Sequence, residues 1–173
     1  MLAGRLVRVV ADPTPPLLFP ALLLSWPYAA ANAATVAEFV LESAIGVVPK
    51  PRAALAAGAA LAAAGDALRK AAILAAGPSF RHDLARVKRD DHILVTGGVY
   101  RFVRHPAYLG FTLWTLGLQL ALANPLCALA LTAACLRFFA ARVRAEERLL
   151  VSFFGARYGA YRGATRTWLP GVG

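Results

Sequence analysis

The stretch HPAYLGFTLWTLGLQLALANPLCALALTAACL, residues 105–136, decides the fold class because none of its 32 residues is Asp, Glu, Lys or Arg. One unbroken helix of this length would exceed the roughly 30 Å hydrocarbon core of a bilayer. Asn124-Pro125 interrupts the stretch, and a proline favours the first turn of a new helix. We therefore predict a transmembrane helical hairpin over Pro106–Ala123 and Pro125–Arg144.

The composition of the whole chain also indicates a membrane protein. Of its 173 residues, 59% are hydrophobic and only 16% are charged, and the mean hydropathy is +0.57. Soluble domains usually contain about 25% charged and about 45–50% apolar residues. The composition therefore excludes a disordered chain and argues against a soluble domain. The length fits one domain over residues 1–173.

The net charge of +10 is concentrated in two blocks, residues 79–105 and 137–173, which flank the uncharged stretch. Positively charged loops usually face the cytosol, so we predict that both blocks and the C-terminus are cytosolic. Nucleic acid can attract basic blocks, but a chain this apolar argues against that partner. Lipid headgroups and acidic ligands are further candidates.

Three predicted spans precede the hairpin, giving an all-α membrane protein with about five transmembrane helices. Residues 13–37 are uncharged but interrupted by prolines, which predicts an irregular first span. A signal peptide is the alternative there, since Arg5 and Arg8 precede an apolar run. The second span is predicted over Asn32–Val48 and the third over Ala53–Gly77.

Charged residues in these spans give more specific expectations. Glu38 and Glu42 share one helix face, which should point at protein or water rather than lipid. Asp66 can pair with Lys70 or Arg69. The many Ala and Gly residues of the third span should allow close helix packing.

Two further segments are predicted outside the spans. Residues 79–105 form a long polar loop that holds all three histidines of the chain, and long loops are often functional. Glu146–Tyr158 is predicted to be an amphipathic helix on the membrane surface, with Leu149, Leu150, Phe153 and Phe154 as its apolar side. The hairpin should bring Arg101–Pro106 and Arg142–Glu147 together at one membrane face.

Neither a disulfide nor a metal site is predicted. Cys127 and Cys135 are separated by about 12 Å of helix, which is too far for a disulfide. No metal-ligand spacing surrounds them, so we interpret both as buried packing residues.

A resemblance that covers about residues 36–173 rests on a series of motifs in this order: His92–Tyr100, Arg104–Gly110, Asn124-Pro125, Glu146-Glu147, Phe153–Tyr158 and Thr167–Pro170. In this order the series resembles the isoprenylcysteine carboxyl methyltransferase family. The Arg-His-Pro-x-Tyr motif alone also resembles phospholipid methyltransferases and some membrane sterol reductases. One departure is Ala85, which stands where some family members carry Gln.

The resemblance implies methyl transfer from S-adenosyl-L-methionine to the α-carboxylate of a C-terminal S-prenylated cysteine, giving a methyl ester. Substrates would be prenylated CaaX-type proteins after proteolysis, reached through membrane lipid. The family also implies a multi-pass protein of the endoplasmic reticulum membrane with a cytosolic catalytic face. Residues 1–52 would be N-terminal spans, and residues 53–173 the catalytic half.

By the same resemblance, Arg142 is the catalytic residue that binds the substrate carboxylate. Glu147 matches no family role and is interpreted as solvated. No Gly-x-Gly-x-x-Gly motif occurs, so the cofactor should bind outside a Rossmann fold. The predicted cofactor-binding residues are His92, Ile93, Leu94, Val95, Tyr100, His105, Pro106, Ala107, Tyr108 and Glu146.

Two other functions stay open from the sequence. One is phospholipid N-methylation, although a cleft containing Arg142 disfavours an ammonium substrate. The other is a non-catalytic membrane protein that binds prenyl tails.

Overall fold

The structure is a computed structural model that describes residues 26–80, 84, 87–88 and 92–172. This part of the chain contains five α-helices and two short 3₁₀ turns but no strand, which confirms the predicted all-α class. The helices are α1 (Trp26–Ile45), α2 (Arg52–Ala76), α3 (Pro106–Leu122), α4 (Pro125–Phe154) and α5 (Ala156–Ala164), and the 3₁₀ turns are Gly77–Ser79 and Gly98–Arg101.

The predicted hairpin is formed by α3 and α4. Helix α3 ends at Leu122, where Ala123 adopts the left-handed conformation with φ 50°. Pro125 begins α4, as the sequence predicts. Asn124, between them, is buried and donates a hydrogen bond of 2.9 Å to the carbonyl of Thr35 in α1.

The predicted end of the returning helix at Arg144 is wrong. Helix α4 continues for ten more residues to Phe154, so most of the predicted surface helix Glu146–Tyr158 is the end of α4. The separate C-terminal helix begins only at Ala156. No glycine or proline occurs between Pro125 and Gly155, and Gly155, with a φ of 53°, ends the helix.

Helices α2 and α3 are antiparallel and touch through glycines. A Cβ atom added to Gly58 would lie 2.6 Å from the carbonyl oxygen of Gly117, and one added to Gly65 would lie 2.6 Å from that of Gly110. Because such distances are shorter than any van der Waals contact, the two backbones pack directly against each other. The close packing predicted from the composition of α2 is confirmed.

Charged side chains of α1 and of the segment that follows it hold the hairpin turn. The two carboxylate oxygens of Glu38 accept hydrogen bonds of 2.7 Å each from the backbone N–H groups of residues 126–127, in the first turn of α4. Lys50 donates to the carbonyl of Leu122 at 2.8 Å and to Glu42 at 3.1 Å. A negative charge at a helix N-terminus and a positive charge at a C-terminus are both favourable. The prediction that the Glu38 face points at protein is confirmed.

The number of membrane spans stays a prediction. Within the described residues, α4 is the one helix that is long and apolar enough to cross a bilayer, by length and composition. Helix α1 starts at Trp26, six residues before the predicted start at Asn32. Residues 1–25, which hold most of the predicted first span, lie outside the described residues, as do His82 and Ala85. Asp66 pairs with Lys70, one of its two predicted partners.

Candidate functional site

An open cavity with about 680 Å³ of empty space lies where α2 ends and α3 begins. Its wall comes from the polar loop, the first turn of α3, one side of α4 and α5. The cavity contains every residue predicted to bind the cofactor: His92, Ile93, Leu94, Val95, Tyr100, His105, Pro106, Ala107, Tyr108 and Glu146.

One wall is the segment 92–95, which forms neither helix nor strand. The backbone N–H of Ile93 donates to the hydroxyl of Ser79 at 3.2 Å, which fastens the segment to the end of α2. The His92 ring meets the rings of Phe153 and Phe154 edge-on, each at 5.7 Å between centroids. The segment is therefore held between the ends of α2 and α4.

A second wall is formed by tyrosines. The hydroxyl of Tyr161 in α5 donates to the carbonyl of Tyr100 at 2.7 Å. Burial, with a smaller contribution from the charge of Glu146, raises the pKa of Tyr100 to about 12. Burial also raises the pKa of Tyr161 to about 12. Both phenols are therefore neutral at physiological pH and can act as hydrogen-bond donors.

The first turn of α3 supplies the floor of the cavity. His105 is 6% exposed and directly precedes Pro106, which begins the helix. The His105 ring stacks on the ring of Tyr108, with centroids 5.6 Å apart and planes 5° from parallel. Its Nδ1 lies 3.9 Å from a carboxylate oxygen of Glu146. The imidazole is therefore held between an aromatic ring and a negative charge.

A chain of hydrogen bonds crosses from α3 to α4. The Tyr108 hydroxyl donates to Glu146 at 2.6 Å and accepts from Nε of Arg142 at 2.8 Å. The Arg142 guanidinium also lies 5.7 Å from the Tyr108 ring centroid. Tyr108 thus joins the carboxylate predicted to face the cofactor to the arginine predicted to bind the substrate.

The interpretation of Glu147 as a solvated residue is wrong. Its side chain is 6% exposed and accepts a hydrogen bond of 2.9 Å from Nε of the buried Arg104. Nε2 of His105 lies 3.4 Å from Glu147, and Nε of Arg162 lies 3.3 Å from it. Arg104 also donates to the carbonyls of Arg162 and Thr165. This ion-pair group ties the end of α5 to the cavity floor.

One feature of the sequence pointed to Glu147 and Arg104 as part of the candidate site. Arg104 directly precedes His105, and Glu147 directly follows Glu146, so each is the chain neighbour of a predicted site residue. Other cavity residues that the predicted set did not include are Ala76, Ser79, Phe80, Leu150, Tyr158 and Tyr161.

The cysteines and acidic residues of the described ranges form no metal centre. No group of three or more His, Cys, Asp or Glu in that part of the chain has the proximity that a metal ion needs. Cys127 is buried and Cys135 is half-buried, and both are free thiols.

The sequence model of the isoprenylcysteine carboxyl methyltransferase (ICMT) family matches residues 58–152, more than half of the chain. The chain belongs to the ICMT family. The matched range includes the segment 92–95, the hairpin and both Arg142 and Glu146.

Individual relatives agree with this assignment. The Xenopus laevis protein-S-isoprenylcysteine O-methyltransferase is 46% identical over 106 residues, which is 61% of this chain and 37% of the frog protein. The Homo sapiens protein of the same name is 43% identical over 106 residues, again 61% and 37% of the two chains. A solved structure of the eukaryotic intramembrane Ras methyltransferase ICMT matches with a TM-score of 0.80 at 37% identity.

The structural match covers 86% of this chain and 53% of the ICMT structure, so the chain spans about half of that protein. Since the solved ICMT is an intramembrane enzyme, the shared fold is that of a membrane protein. All the residues that line the cavity except Tyr158 and Tyr161 lie within the range 58–152 that the family model matches, which makes the cavity the candidate site of this family member.

Proposed function

We propose that this ICMT family member transfers a methyl group from S-adenosyl-L-methionine to the α-carboxylate of a C-terminal S-prenylated cysteine. The observation that supports it is the Glu146–Tyr108–Arg142 hydrogen-bond chain at the cavity. The Tyr108 hydroxyl bonds to both the carboxylate proposed for a cationic cofactor and the guanidinium proposed for an anionic substrate. Tyr108 and Glu146 line the cavity, whereas Arg142 lies next to it through its bond to Tyr108.

The cavity suits the proposed cofactor. S-adenosyl-L-methionine, when bound, supplies an electrophilic methyl group on a positively charged sulfonium. Glu146 provides negative charge on the cavity wall, and Tyr100 provides a neutral phenol. The segment 92–95 forms no helix or strand, so its backbone groups, apart from the Ile93 N–H that donates to Ser79, are proposed to contact a nucleoside or amino-acid group. His92–Val95, Tyr100, His105–Tyr108 and Glu146 are the proposed cofactor-binding residues.

Arg142 is the proposed substrate-binding residue. The guanidinium fork matches the geometry of a carboxylate and can hold it in one orientation. An α-carboxyl group, with an ordinary pKa of about 3.3–3.7, is ionised at pH 7 and needs no general base. The bond from Arg142 to Tyr108 fixes the guanidinium beside the cavity, so the contribution of the residue is orientation.

The apolar surface next to Arg142 suits a prenyl tail. Phe138 lies one turn before Arg142 on the same face of α4, and 59% of it is exposed. A tail that enters from the bilayer would pass Phe138 as its carboxylate reaches Arg142.

The proposed substrates are prenylated CaaX-type proteins after proteolysis, met within the lipid of the endoplasmic reticulum membrane. The basic blocks at residues 79–105 and 137–173 support a cytosolic orientation of the cavity. The single domain is proposed to comprise N-terminal spans over residues 1–52 and a catalytic half over residues 53–173.

The first experiment incubates protein in liposomes with labelled S-adenosyl-L-methionine and N-acetyl-S-farnesylcysteine, with phosphatidylethanolamine in a parallel reaction. A base-labile methyl ester on farnesylcysteine is the expected product. Label in the phospholipid alone would identify an N-methyltransferase instead. Cofactor binding without transfer to either acceptor would contradict the proposed acceptor, and absent cofactor binding would support the non-catalytic interpretation.

Two substitutions test the residue roles. Arg142→Ala should lower kcat/KM for farnesylcysteine by at least about 100-fold, while binding of S-adenosylhomocysteine persists. Arg137→Ala removes an exposed arginine from the same helix and is the matched control. Glu146→Gln should weaken the binding of S-adenosylhomocysteine, measured by calorimetry, by about tenfold or more. Unchanged affinity would remove Glu146 from the cofactor site.

A further inference from the structure

A second cavity, with about 1,040 Å³ of empty space, lies on the neighbouring face of α4. Arginines and valines line it together, and the C-terminal residues Gly171 and Val172 close one side. The predicted cofactor-binding residues do not line it. Its arginines are Arg144, Arg148 and Arg162.

The charges in this second cavity are unbalanced. Glu147 also lines it, but this carboxylate already lies 2.9 Å from Nε of Arg104 and 3.3 Å from Nε of Arg162. Among the described residues, no carboxylate forms an ion pair with Arg144 or Arg148. These two arginines are exposed and stand at i and i+4 on one helix face, where like charges destabilise the helix. An anion between them would remove that repulsion.

The position of the arginines indicates the source of the anion. Arg144 follows Pro125 by 19 residues, or about 28 Å of helix, close to the roughly 30 Å thickness of a hydrocarbon core. The pair therefore lies at headgroup depth, at the end of the hairpin where the cofactor cavity opens. Val151 and Val172 add an apolar wall beside the charges.

We propose that this second cavity binds a phosphate group, supplied by an anionic phospholipid whose headgroup lies between Arg144 and Arg148. The guanidinium groups bind the phosphate oxygens, and the apolar wall lies beside the glycerol backbone. The proposed cytosolic orientation places this site in the leaflet that carries anionic lipids.

The test is a thermal-unfolding titration of the full chain in a neutral detergent. The probes are dioctanoyl phosphatidic acid, dioctanoyl phosphatidylcholine and inorganic phosphate. Phosphatidic acid should raise the unfolding temperature by about 5 °C at saturation. The doubly substituted R144Q/R148Q protein should bind it at least about tenfold more weakly. The control is Arg157→Gln, an exposed arginine of α5 that lines neither cavity.

The outcomes separate the sources of the anion. An equal effect of inorganic phosphate would support the site but assign it to a free phosphate. An equal effect of phosphatidylcholine, or a phosphatidic acid effect that survives both R144Q/R148Q and the charge reversal Arg148→Glu, would overturn the proposal. Because the readout is binding, it does not depend on whether the chain methylates farnesylcysteine.

Discussion

Replacing Gly65 by alanine tests how closely α2 and α3 approach each other. The added Cβ would lie 2.5 Å from the backbone nitrogen of Trp114 and 2.6 Å from the carbonyl oxygen of Gly110. Both neighbours are backbone atoms of a packed helix, so no side-chain rotation can relieve the contact. The helices must separate by about 0.9 Å, the difference between 2.5 Å and the 3.4 Å where ordinary contact begins.

The energetic cost follows from this separation. Overpacking a well-packed interior costs typically about 1–3 kcal/mol, and displacement of a whole helix belongs at the upper end. A loss of about 3 kcal/mol corresponds to a fall of roughly 6–12 °C in unfolding temperature for a chain of this size. Gly65→Ala should therefore unfold about 6–12 °C below the wild type in the same detergent.

The matched control is Gly159→Ala in α5. A Cβ at Gly159 meets no atom within 4 Å, so the methyl group causes no clash. Alanine is the better helix former by roughly 0.5–1 kcal/mol, so this variant should be as stable as the wild type or slightly more stable. If Gly65→Ala unfolded within 1–2 °C of Gly159→Ala, the direct backbone contact between α2 and α3 would be refuted.

Three further predictions concern charged and titratable groups. Glu38→Gln should lower the free energy of unfolding by about 1–2 kcal/mol, because the negative charge at the N-terminus of α4 disappears. Chemical denaturation measures this free energy, and an unchanged value would contradict the capping role. Glu147→Gln should lower the free energy of unfolding by about 3–5 kcal/mol, because the buried Arg104 loses its counter-charge. An unfolding temperature equal to that of the wild type would contradict this role of Glu147. Burial raises the pKa of Tyr158 above its ordinary value of 10.0, so its contribution to stability is complete below pH 10 and is lost as the pH rises further. The wild type should therefore lose stability above pH 10 more steeply than Tyr158→Phe, and parallel pH profiles would show that this tyrosine has no part in the loss.

The hairpin could be predicted from sequence because two simple signals agree there. A long uncharged stretch must be buried in a membrane or in a protein core, and Asn124-Pro125 marks the place where this stretch turns. The glycines of α2 likewise predict close packing. Their exact partners, Gly110 and Gly117, depend on the register between two helices, which a single sequence does not specify.

Tertiary contacts explain what the sequence did not reveal. The sequence predicts that the returning helix ends at Arg144 and that a surface helix begins at Glu146. In the structure Val143 and Glu147 are buried by tertiary contacts, and α4 runs through this region without a break. The burial of Glu147 depends on Arg104, which is 43 residues away in the chain. An ion pair between residues so far apart leaves no pattern in the local sequence. In the sequence, Glu147 stands among other charged residues, as residues on a solvent-exposed helix face do.

The adjacent carboxylates of α4 have different surroundings because successive residues of a helix point about 100° apart. Glu146 faces Tyr108 and the cavity at the start of α3, whereas Glu147 turns toward Arg104. A rotation or axial shift of α4 would disturb both sets of contacts at once. Glu38, at the far end of the same helix, holds its first turn by two backbone hydrogen bonds and so limits any axial shift. The alignment of Arg142 and Glu146 with Tyr108 therefore depends on contacts at both ends of α4, one of which lies a full hairpin length from the cavity.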